Sequence, residues 1–419
     1  MKIAIVGAGS TYTPELIEGL IRRPELAVDE VVMHDLDAER LEVVGGLADR
    51  MAEEARWRGR LVATTDRRAA VEGADAVLLQ LRVGGQAARL KDETLPLPFD
   101  CIGQETTGPG GFLKALRTVP VVLDIAADVH RYASANAWIV DFTNPVGIVT
   151  RSLLDAGHRA IGLCNVAIGF QRRLAALLHV EPQRVQLEQV GLNHLSWIRA
   201  VRVDGVDRLP ELLADFGDDI ADEVEIPVGA IRALGVIPSY YLHYFYCEHE
   251  ALANMRRGPT RAEEVMAIER DLIEMYRDPA LVTKPALLEQ RGGAFYSEAA
   301  AQLVHSLFAD AGDIQIVDVR NHGALPGLPD EAVVEVPCVI DREGAHPLPQ
   351  LPLAPELLGL MQHVAAYESL AVEAAVTGDR RTALRALLAN PLVREWQISS
   401  ELLDTMLEAN LADLPSYWS

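Results

Sequence analysis

The chain has 419 residues, long enough for two domains, and 49% of them are hydrophobic, so a large buried core is expected and disorder is not. A formal net charge of −23 argues against nucleic-acid binding, because neutralising phosphates takes clustered lysine and arginine. The sequence holds no run of about 18 uncharged apolar residues, so a membrane span is not expected. Cys101, Cys164, Cys247 and Cys338 are far apart and form no CxxC pair, which speaks against a disulfide framework or a structural zinc site. The start, "MKIAIVGAGST", reads as strand and glycine turn with no signal peptide before it, and the cytoplasm is the expected compartment.

Residues 2–6, "KIAIV", predict a short strand. "GAGSTYTPELIEGLIRR" predicts a glycine turn and an amphipathic helix, with Pro14 in the first turn, where its missing N–H costs nothing. A second strand in "VDEVVMHDLD" is followed by a helix over "RLEVVGGLADRMAEEARWRG". "LVATT" and "ADAVLLQLR" are further strands, and "DIAADVHRYASANA" is a helix. "WIVDFTNPVG" reads as strand into loop, "AIGLCN" as strand and "VAIGFQRRLAALLHV" as helix. This alternation predicts βαβ units, a parallel sheet and helices on both faces. Beyond about residue 180 the character changes. "VQLEQVGLNHLSWIRAVRVDG" predicts antiparallel pairing, and "PTRAEEVMAIERDLIEMYRD" and "APELLGLMQHVAAYESLAVEAAVTGDRRTALRALL" predict long helices. The expected organisation is a Rossmann-like, doubly wound dinucleotide domain over 1–180, packed on an α+β domain over 181–419 that carries the substrate chemistry.

Gly7, Gly9 and Ser10 lie between the first strand and helix. Gly7 permits the tight turn, Gly9 lets backbone approach a pyrophosphate, and the helix N-terminus presents its N–H groups. The third glycine of G-x-G-x-x-G is replaced by Tyr12. Asp35 closes the second strand, where a carboxylate accepts hydrogen bonds from a ribose diol and repels a 2′-phosphate, so NAD is expected over NADP. A glycine turn that binds nothing is the competing reading. Cys164 has two readings as well: a packed core thiol, or a sulfur aimed at a ligand.

Polar stretches collect at the carboxyl ends of the predicted strands, where such sheets bind ligands. They are "VGGQAARLKDE", "GQETTGPGG", "TNPVG" and "CNVAIG", followed downstream by "GLNHLSW", "IPSYYLHYFY" and "TRAEEVM". Together they resemble the family 4 glycoside hydrolases, which depend on NAD and a divalent metal, and especially the 6-phospho-β-glucosidases among them. The likeness runs along nearly the whole chain. It implies metal ligation, usually of manganese, by Cys164 and His194. It implies Tyr241 as catalytic base, supported by Glu105, and substrate contacts from Arg89, Asn144, Asn165 and Arg261. Asn165 stands where α-specific members carry an aspartate, and Ala167 where a proline is common. The reaction implied is oxidation at sugar C3, loss of the C2 proton, elimination of the glycosidic oxygen from C1, addition of water and re-reduction. This family is a known exception to two-carboxylate glycosidase chemistry. The expected substrate is a phosphorylated disaccharide or an aryl glucoside, and the expected assembly a homodimer or homotetramer. A lactate- or malate-type dehydrogenase acting on a small hydroxy acid or sugar shares the N-terminal pattern and is the alternative. It would need no cysteine–histidine metal pair.

Overall fold

The computed structural model describes residues 1–293 and 295–418. Its strands are β1 (Lys2–Val6), β2 (Glu30–His34), β3 (Arg60–Thr64), β4 (Ala76–Leu79), β5 (Trp138–Asp141), β6 (Ala160–Gly162), β7 (Val185–Leu192), β8 (Leu195–Val203), β9 (Val206–Asp207), β10 (Ile237–Pro238), β11 (Asp313–Arg320), β12 (Val333–Asp341) and β13 (Gly344–Pro347). The first six pair in parallel in the order 3-2-1-4-5-6, the doubly wound Rossmann arrangement, with the order reversing between β1 and β4. Short apolar, β-branched runs form these strands, and β1 and β4 are almost wholly buried, as strands covered on both faces must be.

The second half adds to the same sheet rather than building its own. β11 joins the edge of β6 in antiparallel sense, Asp318 opposite Gly162, and β12, β7, β8 and β10 follow. Gly162 makes this junction possible, because a Cβ there would stand 2.7 Å from the Asp318 Cβ. A second difference concerns "GQETTGPGG". Its GPGG is the first turn of a long helix, Gly108–Tyr132, and not part of a connecting loop. Pro109 suits that first turn. Side chains at Gly110 or Gly111 would collide with backbone of Asp92, Gln104 and Thr106, so these glycines serve close packing. No helix among the described residues is long and apolar enough to cross a membrane, and all four cysteines are free.

Behind the β6–β11 junction the core holds several acids. Burial raises Asp318 well above its usual range, Glu335 to about 7 and Glu368 to about 8, the last partly offset by Arg151. Glu368 ordinarily titrates near 4.5. Its folded form therefore keeps a proton that the unfolded chain releases, and stability falls as pH climbs from that value towards about 8. Glu368→Gln keeps the shape and removes the titration. Its melting temperature should match wild type near pH 5 and exceed it near pH 8.5, reflecting a stability difference of up to roughly 1.4 kcal/mol per pH unit traversed. A scan of melting temperature against pH checks this.

Candidate active site

A cleft of about 1230 Å³ opens at the carboxyl ends of the parallel strands. Gly7, Gly9, Ser10, Asp35, Arg89, Glu105, Asn144, Asn165, Tyr241 and Arg261 all line it. At one end lies the glycine turn. Gly7 has φ +92°, and a Cβ there would stand 2.8 Å from the Leu81 Cα, so this backbone admits no side chain. The amides of Gly7 and Ala8 both donate to the His34 carbonyl at 2.9 Å, tying the turn to β2. Asp35 accepts from the Gly9 amide at 2.8 Å, so it fixes the turn besides facing the cleft. Ser10 Oγ accepts from the Tyr12 amide at 3.2 Å. Tyr12, which replaces the third glycine, donates its hydroxyl to the Gly293 carbonyl and joins the turn to the segment Arg291–Gly293 across the cleft.

The two predicted metal ligands, Cys164 and His194, do not themselves line this cleft, although Asn165 and Tyr241 beside them do. Cys164 follows β6 and is buried. His194 is the second residue of the two-residue hairpin between β7 and β8, at φ +62°. Its Nδ1 is 3.0 Å from the Thr106 hydroxyl, and its ring stacks on Tyr241 with centroids 3.6 Å apart and planes 11° from parallel. Thr106 thus occupies one ring nitrogen, so a metal held here would take Nε2, the usual division of labour for a metal-bound histidine. Burial first, and Lys114 second, lower the His194 pKa to about 3, so the ring is neutral, as a ligand must be. Burial, with Glu335 and Asp318, pushes the Cys164 thiol well up. A thiol so placed ionises only beside a strong positive charge, which a divalent cation supplies. One sulfur and one imidazole would leave most positions of a divalent ion open to substrate oxygens, the ligands a hard ion such as manganese prefers. Among the described residues no group of three or more histidine, cysteine or acidic side chains could hold a metal by itself. Such an ion would therefore need ligands from outside the protein.

Glu105 is not a lone acid beside Tyr241. It pairs with Arg82, with Lys114 Nζ at 2.6 Å and with Arg89 Nε at 3.2 Å. Despite burial these cations, Arg82 first, hold its carboxyl well below the usual range. Lys114 is itself lowered to about 7 by burial and by Arg82. Burial, then Tyr240, Cys164, Tyr244 and Glu105, push the Tyr241 phenol well up. Arg89 also binds Glu93 at 2.7 Å, and Glu93 accepts from the Ala262 amide at 2.7 Å, at the start of the helix Arg261–Tyr276. Arg261 donates to the Gln290 carbonyl and to Glu264. Asn144 lines the cleft, and its Oδ1 is buried without a partner among the described residues. Asn165 begins the helix Val166–Leu177 beside Cys164.

Four residues of this site were not singled out in the sequence. Arg82 and Lys114 hold Glu105, Thr106 orients His194, and the Tyr296 hydroxyl stands 3.9 Å from the Cys164 sulfur. Thr106 lies inside the quoted "GQETTGPGG" and was within reach. Lys114 looks like any lysine of an amphipathic helix until its burial is known.

The sheet order and the cleft at its switch point place the chain in the Rossmann-like class of α/β proteins. The chain belongs to glycosyl hydrolase family 4: the family model, "Family 4 glycosyl hydrolase", matches residues 2–180 and that of its C-terminal domain residues 189–393. A relative from Bacillus subtilis named "Probable 6-phospho-beta-glucosidase" is 44% identical, covering 100% of this chain and 98% of its own. The phospho-alpha-glucosidase PagL of Clostridium acetobutylicum is 30% identical over 100% of this chain and 98% of its own. The structure of the 6-phospho-beta glucosidase from Thermotoga maritima with manganese, NAD+ and glucose-6-phosphate superposes with a TM-score of 0.92 at 36% identity, covering 99% of both chains.

Proposed function

We propose that this chain hydrolyses 6-phospho-β-glucosides, using NAD and a divalent cation, manganese by preference. The observation that carries the reading is that Tyr241, which lines the same cleft as the glycine turn, stacks on His194. When bound, NAD accepts and returns a hydride at sugar C3, and the cation draws electron density from the neighbouring sugar oxygens. The protein does the rest. Cys164 and His194 Nε2 hold the cation, while Thr106 keeps the imidazole in its ligating tautomer. Tyr241 takes the C2 proton, and the glycosidic oxygen then departs from C1. Glu105 keeps Arg82, Arg89 and Lys114 gathered at the substrate end, where a phosphate dianion pairs well with guanidinium groups. Arg89 and Arg261 bind that phosphate, and Asn144 and Asn165 orient sugar hydroxyls. Gly7, Gly9, Ser10 and Asp35 receive the dinucleotide.

Residues 1–180 act as the nucleotide-binding part and 181–419 as the substrate-binding part, joined through the shared sheet. The enzyme works in the cytoplasm as a homodimer or homotetramer. Family membership disfavours a simple lactate- or malate-type dehydrogenase. Asn165, and the lower identity to the α-specific relative, favour the β anomer.

The test is release of nitrophenol from a 6-phosphorylated aryl β-glucoside with NAD and Mn2+ present. Turnover should need both additions, should not accumulate NADH, and should be far slower on the α anomer. Stoichiometric NADH would point to the dehydrogenase reading, and faster cleavage of the α anomer would reverse the assignment of Asn165.

A further inference from the structure

The cleft wall includes a buried polar side chain that the reaction does not use. His34 is the last residue of β2, is only 3% exposed, and lines the cleft beside Asp35. Neither ring nitrogen has a hydrogen-bond partner among the described residues. A buried imidazole without a partner is costly, and such orphans call for an explanation.

The strand fixes where the ring points. Side chains alternate along β2, and Met33 packs towards Gly45 on the helix Ala38–Glu54. His34 therefore faces the other side of the sheet. There the cleft wall is apolar: Leu36, Val83, Val121 and Ile125 all line it, and Leu36 is 86% exposed. A slot walled by aliphatic side chains suits a flat aromatic base. Arg67 also lies at this end, but Asp124 and Asp128 occupy its guanidinium at 2.7 and 2.5 Å. His34 is the polar group left without a partner there. Burial lowers its pKa, so the ring is neutral and carries one N–H donor and one bare acceptor nitrogen.

We propose that His34 reads the adenine of the dinucleotide, its bare ring nitrogen accepting a hydrogen bond from the 6-amino group of the base. This rests on the nucleotide reading of the glycine turn and adds to it a specificity for the base. Adenine offers a donor at position 6, whereas hypoxanthine offers an oxygen there, which a bare nitrogen cannot satisfy.

The experiment is calorimetric titration of the wild-type chain with NAD and with nicotinamide hypoxanthine dinucleotide. NAD should bind about five- to tenfold more tightly, the range a single buried hydrogen bond commands. His34→Leu should weaken NAD and abolish the preference. His34→Gln, whose amide can serve either base, should keep both affinities close to the wild-type NAD value and also lose the preference. Circular dichroism confirms that each variant is folded, and the glutamine variant carries the test if the leucine variant is not. Equal wild-type affinities for the two dinucleotides, or a preference that survives both substitutions, overturns the role of His34 while leaving the nucleotide site standing. Failure of either dinucleotide to bind overturns both.

Discussion

Tyr241→Phe lowers kcat by at least about a hundredfold, the low end of what a general base contributes. The substitution keeps the ring that stacks on His194 and deletes only the hydroxyl, so folding and NAD affinity stay close to wild type. The size of the effect follows from the surroundings. Burial and four neighbouring groups push this phenol well above its ordinary value of 10.0, so by itself it is a reluctant base. It becomes a useful one only with a positive charge beside it, and the stacked imidazole marks where that charge sits. The loss should therefore appear in kcat far more than in KM, because the group acts on a proton that moves only as the reaction proceeds. Steady-state kinetics on a 6-phosphorylated aryl β-glucoside, with titration of NAD alongside, check both halves of the statement.

Cys164→Ser and His194→Ala each bring activity to background and weaken Mn2+ binding by about a hundredfold or more, a loss at least as large as removal of an outer-sphere partner causes. Two protein ligands are few, and the structure supplies no third from its own acids, so neither loss can be made up locally. NAD affinity is retained, because the glycine turn is held by the His34 carbonyl and Asp35 rather than by the ligand loops. The free Mn2+ signal in electron paramagnetic resonance reads the affinity without recourse to turnover. Wild-type metal affinity in either variant would remove that residue from the coordination sphere.

Much of this was legible before any coordinates. Period and composition marked β1 to β6, and the glycines of the first turn sit where their lack of a side chain is needed. Most of the residues chosen for their chemistry line one cleft, but the two expected metal ligands, Cys164 and His194, do not. What escaped was long-range or depended on burial. Nothing local in Asp313–Arg320 announces that it will pair with a strand lying far earlier in the chain, so the joining of both halves into one sheet at Gly162 and Asp318 was not legible. The GPGG run reads as loop because glycine and proline punctuate structure. Only the close approach of Asp92, Gln104 and Thr106 explains their use inside a helix. Glu105 could be named but not interpreted. Its effect on Tyr241 depends on Arg82, Arg89 and Lys114, and those contacts are tertiary.

The central claim is that the C2 proton leaves the sugar during hydrolysis, and its fate in heavy water tests this most directly. Hydrolysis of an unlabelled 6-phospho-β-glucoside in D2O, followed by proton NMR of the glucose 6-phosphate formed, reads it without a variant or a rate. A phenol that has taken the proton exchanges with solvent before returning it, so the product should carry deuterium at C2. Product with its original C2 proton intact, formed at the same rate, would mean direct displacement at C1, as in ordinary glycosidases, and would contradict the role of Tyr241 even in an active 6-phospho-β-glucosidase.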